Sequence, residues 1–169
     1  SGLLPSREWK RKTLSQPWFP GETLNTGIGQ GTFLVTPLQL ANSTGALALN
    51  GLRYRPHLVS ALEDGYSGNK LDIPPEQVAE GGVSKKSNWL QTHESLVSVV
   101  HGFRGTANRI NRGLTYQIAG KTGTAQVYGI AQDEEYDEDT VIHKLTDHAL
   151  FMSYAPAKNP KIAVAVIVE

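Results

Sequence analysis

The chain has 169 residues, 16 Lys+Arg against 16 Asp+Glu, 39% hydrophobic residues and no cysteine. That is enough for one domain with a core, and it excludes disulfides and thiolate metal sites without choosing a redox compartment. The zero net charge lacks the basic excess that a nucleic-acid partner calls for, and the longest apolar run, residues 162–168, is too short to cross a bilayer or to imply membrane contact by this piece.

Residue 1 is Ser, no leader pattern follows it, and the final apolar strand runs to Glu169 with no turn or cap. The sequence therefore reads as residues 1–169 of a single domain, cut from a longer protein at both ends. Residues 1–26 read as irregular: "SREWKRK" is basic, and Pro17 and Pro20 exclude a long helix. "GIGQG" places three glycines in five positions and marks a tight turn. "TPLQLANSTGALALNG" predicts a helix over about 37–50 with both ends signalled. Thr36 is the N-cap, Pro37 takes the first helical position, and Gln39 completes a capping box. Leu40, Thr44, Leu47 and Ala48 share one face, and Asn50-Gly51 supplies a left-handed stop.

"RYRPHLVSAL" reads as extended, "EDGYSGNK" as a turn, and "IPPEQVAEGGVS" as a loop or short edge segment. Ser87 is expected to cap a second helix over about 88–103, with Leu90, Leu96, Val97 and Val100 on its apolar side. "RGTANRINRG" is a turn-rich connection. Three strands follow at about 115–128, 148–155 and 161–168, the last two joined by "APAKNPK", short enough for a hairpin. One antiparallel sheet in sequence order is expected, with the 115–128 strand at an open edge. The class is α+β. "IAVAVIV" is apolar on both faces and needs cover on both. With two helices available, one sheet face and the outer side of that strand are expected to be bare, which favours a dimer or partial disorder, foremost in 129–147.

Within the 115–128 strand, "AGKTGTAQ" interrupts the apolar pattern with a cation, two hydroxyls and a glycine. Alternation puts Lys121 and Gly123 on one face with Ala119 and Ala125, and Thr122 and Thr124 on the other. Gly123 removes bulk, so a ligand can approach the backbone. The threonines and Lys121 together can hold a carboxylate, and an edge strand can pair with an extended peptide. The bland alternative is an ordinary strand with a surface lysine, since a three-residue Lys-Thr-Gly arises often by chance.

Lys-Thr-Gly stands beside Ser-x-x-Lys in the signature set of serine β-lactamases and penicillin-binding proteins. The order of "GIGQG", "TPLQLA", "GLRYRPHLV", "RGTA", "AGKTGTAQ" and "FMSYAPAKNPKIAVAVIVE" resembles that of class B penicillin-binding proteins. "SGLLPSREWKRK" and "QPWFPGETLNTGIGQG" resemble their elongation-type, Gram-negative branch. The resemblance covers nearly the whole chain and is weakest over 129–147. It implies a partial transpeptidase fold, to which the whole family domain adds further strands and a C-terminal helix. It also implies a peptidoglycan D,D-transpeptidase that forms a serine acyl-enzyme on the D-Ala-D-Ala end of a stem peptide and is inhibited by β-lactams. In that scheme Lys121 supplies positive potential toward the serine of a Ser-x-Asn motif. Thr122 and Thr124 hold the terminal carboxylate, beside Gly123, and the backbone N–H of Thr124 is one oxyanion-hole donor. Such a donor is worth about 3 kcal/mol in the transition state. The family's nucleophile and Ser-x-Asn motif precede the Gly-Gln-Gly stretch, here Gly29-Gln30-Gly31, so both are expected upstream of Ser1 and this piece is expected to be inactive alone. No cofactor is implied. The parent is expected at the periplasmic face of the inner membrane, anchored by a segment outside this chain, with a membrane-embedded glycosyltransferase as partner.

Ser67-Gly68-Asn69-Lys70 fits both Ser-x-x-Lys and Ser-x-Asn. It is rejected because the nucleophile and its lysine base need a helix turn between them, whereas Asp64 to Asn69 is turn chemistry. "GIGQG" fails the dinucleotide spacing. The acidic run Asp133, Glu134, Glu135, Asp137, Glu138, Asp139 lacks the glycine and closing glutamate of a calcium loop and reads as solvated. His57, His93, His101, His143 and His148 show no metal spacing, and Arg104 reads as structural support. Two other readings stay open: a non-catalytic peptide-binding module, and a fragment of a β-lactamase or D,D-carboxypeptidase.

Overall fold

The computed structural model describes residues 2–81, 85–125 and 147–169. Helix α1 (Arg7–Leu14) and helix α2 (Pro20–Gly27) occupy the stretch expected to be irregular. The signals are local. The Trp9 N–H donates to the Ser6 hydroxyl at 3.1 Å, and Ser15 ends α1 in the left-handed region at φ 54°. Pro20 breaks nothing, because it stands at the start of α2, where its missing N–H is harmless. The two helices are tied by the buried Lys10 ammonium, which donates to Glu22 Oε2 at 2.7 Å and sits 4.6 Å from the Phe19 ring centre. Lys10 and the Phe19 N–H hold the Glu22 carboxyl below its usual range.

Helix α3 (Pro37–Ala48) carries the expected capping box: Gln39 N–H donates to Thr36 Oγ1 at 3.2 Å, and Thr36 N–H to Gln39 Oε1 at 3.0 Å. It stops at Asn50 (φ 54°) and Gly51 (φ 97°). Thr44 and Ala48 are buried. Four short strands follow, β1 (Leu52–Tyr54), β2 (Ala61–Glu63), β3 (Lys70–Asp72) and β4 (Gln77–Glu80), pairing antiparallel as β1 with β4 and β2 with β3. Helix α4 (Lys86–His101) begins before Ser87, which therefore caps nothing. Lys85 is the cap and makes no side-chain bond. That end of α4 is exposed, so water can satisfy the first N–H groups without a capping side chain. Leu96 and Val100 are buried, whereas Leu90 is 61% exposed, since six residues separate it from Leu96 and carry it off the buried stripe.

Strands β5 (Ala119–Ala125), β6 (His148–Ala155) and β7 (Ile162–Val168) form one antiparallel sheet in the order β5-β6-β7. Strand β5 starts later than the sequence suggests because the preceding backbone is engaged elsewhere. Gln117 O accepts from Ala157 N–H at 2.7 Å, and Ile118 N–H donates to His101 Nε2 at 3.0 Å. Residues 126–128 of the expected strand and the acidic segment through 146 lie outside the described residues.

The core sits between the sheet and two helices, with α3 against β6 and β7 and α4 against β5. Ala48, Leu96, Ala119 and Tyr154 form its centre, with Leu47, Val97, Met152 and Ala163 around them. The Tyr154 hydroxyl meets His93 Nδ1, and His93 Nε2 meets Asn50 Oδ1 at 2.9 Å, so one imidazole joins β6, α4 and the end of α3. Along β7 the residues alternate between partly covered and exposed, and Ile162 and Val168 are 59% and 61% exposed. One face of that strand is bare, as its two-sided hydrophobicity implies.

Burial lowers the proton affinity of His93. The unfolded chain therefore takes up the proton first, at about pH 6.5. Stability is expected to be full above that value and to fall as the pH drops toward the folded-state pKa. His93→Gln should flatten this dependence in urea unfolding between pH 7 and 5.

Candidate functional site

Strand β5 passes from core to surface along its length. Ala119 and Gly120 are buried, while Lys121, Gly123 and Thr124 are exposed and Thr122 lies between. The sheet order leaves β5 at an edge, paired to β6 alone among the described strands. The core thus grips the start of the strand and presents the next four residues to solvent.

Each of those residues has a specific neighbour. Lys121 Nζ donates to Thr122 O at 2.6 Å. The Thr122 hydroxyl shares a hydrogen bond of 2.9 Å with the Thr106 hydroxyl, from the connection after α4. Thr124 O accepts from Gln30 Nε2 at 2.8 Å. Gln30 comes from the turn after α2, where Gly29 and Gly31 both have positive φ (78° and 77°). That turn, expected to be only a bend before α3, delivers a side chain 94 positions away in sequence to the Lys-Thr-Gly-Thr strand.

Gly123 faces open space apart from Leu150 Cβ, which an added Cβ would meet at 3.3 Å. Gly120, which sequence reasoning passed over, is the tighter position: an added Cβ would lie 2.7 Å from Phe151 Cζ and 2.9 Å from Met152 O. The signal for it is the diagonal approach of Phe151, the register partner of Thr122, over a buried glycine whose own partner is Ser153, and that needs the register.

The other candidates stand apart from this edge. Ser67 lies in the turn of the β2–β3 hairpin, and its hydroxyl donates to Asp64 Oδ1 at 2.9 Å. Asp64 also accepts the Tyr66 and Ser67 N–H groups, and these bonds hold its carboxyl below the usual range. Lys70 belongs to β3, with its ammonium 3.4 Å from Asp72. No helix turn joins Ser67 to Lys70. His57 meets Val59 O, His93 and His101 bond within the fold as above, His148 begins β6, and His143 lies outside the described residues. No group of three or more His, Cys, Asp or Glu among the described residues could hold a metal ion. None of the described helices is long and apolar enough to cross a membrane. A cleft of about 1130 Å³ beside Trp89, His93 and Asn159 includes none of Lys121 to Thr124.

Residues 4–169 match the model of the penicillin binding protein transpeptidase domain. The chain belongs to this family. It is 40% identical over 168 residues to the peptidoglycan D,D-transpeptidase MrdA of Acinetobacter baumannii, covering 99% of this chain and 24% of that protein. The Escherichia coli K12 protein of the same name is 36% identical, with 100% of this chain and 26% of the relative covered. A crystal structure of Pseudomonas aeruginosa PBP2 in complex with WCK 5153 superposes with a TM-score of 0.76 at 44% identity, over 99% of this chain and 33% of that one. The chain thus spans a quarter to a third of the relatives' length. The likeness to the PBP2 type within the transpeptidase family, implied above by "SGLLPSREWKRK" and "QPWFPGETLNTGIGQG", is shown by these relatives, and the mixed fold of helices and antiparallel sheet agrees with the solved family members.

The two glycines of the transpeptidase strand should respond differently to an added methyl. Gly120→Ala is expected to lose about 1–3 kcal/mol through overpacking against β6, and Gly123→Ala less than about 1 kcal/mol. Urea unfolding of both variants checks the order; equal losses would contradict the assignment.

Proposed function

We propose that this chain is part of a peptidoglycan D,D-transpeptidase that cross-links stem peptides through a serine acyl-enzyme and is a target of β-lactams. It supplies the substrate-binding edge of that domain, a portion continued on both sides in the parent. The observation that carries the reading is the exposed edge strand bearing Lys121, Thr122, Gly123 and Thr124 in a chain of this family. The nucleophilic serine comes from elsewhere in the parent, since the one Ser-x-x-Lys of this sequence, at Ser67, is a hairpin turn.

The roles follow from chemistry and position. An extended D-Ala-D-Ala end lies along the exposed edge of β5, exchanging with the Lys121 and Gln30 contacts on its carbonyls, and its carboxylate meets the hydroxyls of Thr122 and Thr124. The Lys121 ammonium, exposed and resting on its own strand, adds positive potential toward the carboxylate and the nucleophile side. The Thr124 N–H is one donor to the oxyanion that forms when the serine attacks, and a fixed donor costs no reorganisation at that moment. Collapse of that intermediate breaks the D-Ala-D-Ala bond, releasing the terminal D-Ala and leaving the rest of the stem as an ester of the serine. The amine of a neighbouring stem then attacks the ester, forming the new peptide bond and freeing the serine hydroxyl. None of these steps calls on a cofactor.

Relatives suggest the setting. One solved structure is a complex of Helicobacter pylori PBP2 with MreC, 32% identical with a TM-score of 0.74. Another concerns polymerization and crosslinking coordinated by a peptidoglycan synthase complex, 32% identical with a TM-score of 0.70. These structures support partners in cell-wall assembly for the parent. Its proposed place at the periplasmic face of the inner membrane, with a membrane-embedded glycosyltransferase as partner, rests on the family resemblance.

In the full-length parent, Lys121→Ala is expected to slow acylation by a fluorescent penicillin on the order of a hundredfold or more while leaving the melting temperature unchanged. Wild-type acylation would remove Lys121 from the mechanism. The 169-residue chain alone is expected to take no covalent label. Labelling that excess unlabelled drug blocks and Ser67→Ala abolishes would reverse both the inactivity of this piece and the dismissal of Ser67.

A further inference from the structure

Thr106 has no part in the roles just assigned, yet its hydroxyl meets that of Thr122 at 2.9 Å. The Gly105-Thr106-Ala107 segment is built to hold it there. An added Cβ at Gly105 would lie 2.2 Å from Val99 O and 2.6 Å from Ser98 O, so only glycine lets the chain lie this close to the last turn of α4. Ala107 is buried, and its N–H donates to Val99 O at 3.0 Å. Between two residues fastened to α4, Thr106 is left exposed and reaches β5. The same helix packs on β5, so both hydroxyls are carried by segments fastened to α4.

We propose that Thr106 is a positioning residue for carboxylate recognition, a role that rests on the reading of β5 as the substrate-binding strand. A hydroxyl has one proton to give and two lone pairs. Unless another group donates to it, Thr122 can spend its proton on any nearby acceptor. When Thr106 donates into a Thr122 lone pair, the Thr122 proton is left for the substrate carboxylate and its direction is set. Removing the Thr106 hydroxyl leaves Thr122 free to rotate, and weakens noncovalent capture of the anionic substrate before chemistry begins.

The test uses the full-length parent with Thr106→Val, which keeps the shape, Thr106→Ala as a second hydroxyl-free variant, Thr106→Ser, which keeps the hydroxyl, and Lys121→Ala. Acylation is followed with a penicillin and with its carboxylate methyl ester, separating the binding constant from the acylation rate at saturation. Thr106→Val and Thr106→Ala are expected to weaken penicillin binding roughly threefold to tenfold, the upper figure being the worth of one well-placed hydrogen bond to a charge, since Thr122 keeps its hydroxyl but loses its fixed direction. For the Thr106 variants the saturating rate and the melting temperature should be kept, Thr106→Ser should behave as wild type, and the ester should show no difference between wild type and the Thr106 variants. Penicillin binding by both hydroxyl-free variants within twofold of wild type, with Lys121→Ala impaired, would overturn the role of Thr106 and leave the function standing. An equal loss toward penicillin and ester would also overturn it, by showing that Thr106 acts through the fold. Normal acylation by Lys121→Ala would instead bring down the underlying reading of β5.

Discussion

Tyr154, the penultimate residue of the central strand β6, is buried, and its hydroxyl must find a partner, because an unpaired buried hydroxyl costs on the order of 1–3 kcal/mol. It finds His93, whose other ring nitrogen reaches Asn50. That chain of hydrogen bonds links the sheet to α4 and to the residues that end α3. Tyr154 is also the cross-strand partner of Ala119, the first residue of β5. The polar stretch of β5 begins two residues later, so its placement follows from where this side chain is held. The site is thus anchored by a group that touches none of its chemistry.

What was legible in the sequence is what local chemistry writes down. The Thr36 capping box, the Asn50-Gly51 stop, the 148–155 strand and the Lys-Thr-Gly-Thr edge depend on residues close together, and all stand in the structure as read. The first two helices were missed although their signals were also local. Pro20 was weighed as a breaker, and eight residues are too few for an amphipathic pattern to stand out. Ser87 erred in the other direction, for a good capping residue does not oblige a solvent-exposed helix to begin there.

The neighbours of the site were not legible, for a different reason. Gln30 and Thr124, Thr106 and Thr122, and Gly120 and Phe151 meet only after the chain has folded. Nothing within a short window distinguishes Thr106 from any other threonine in a turn. The resemblance to penicillin-binding proteins supplied the strand and its expected chemistry, and the structure supplied what stands around it.

The contacts on the two carbonyls of β5 have a consequence for recognition. Thr122 O is taken by Lys121, and Thr124 O by Gln30. An open strand edge invites any extended chain, but here two of its acceptors are already answered from within. A visiting backbone would replace an amide and an ammonium rather than fill vacant positions. Such an exchange is close to neutral in hydrogen-bond count, so main-chain pairing alone gives little reason to stay. If β5 binds substrate as proposed, selectivity falls to whatever a guest offers beyond its backbone, above all a negative charge for the displaced lysine. On the proposed reading of β5, an occupied edge of this kind would work as a filter, turning away generic strands and rewarding a charged terminus.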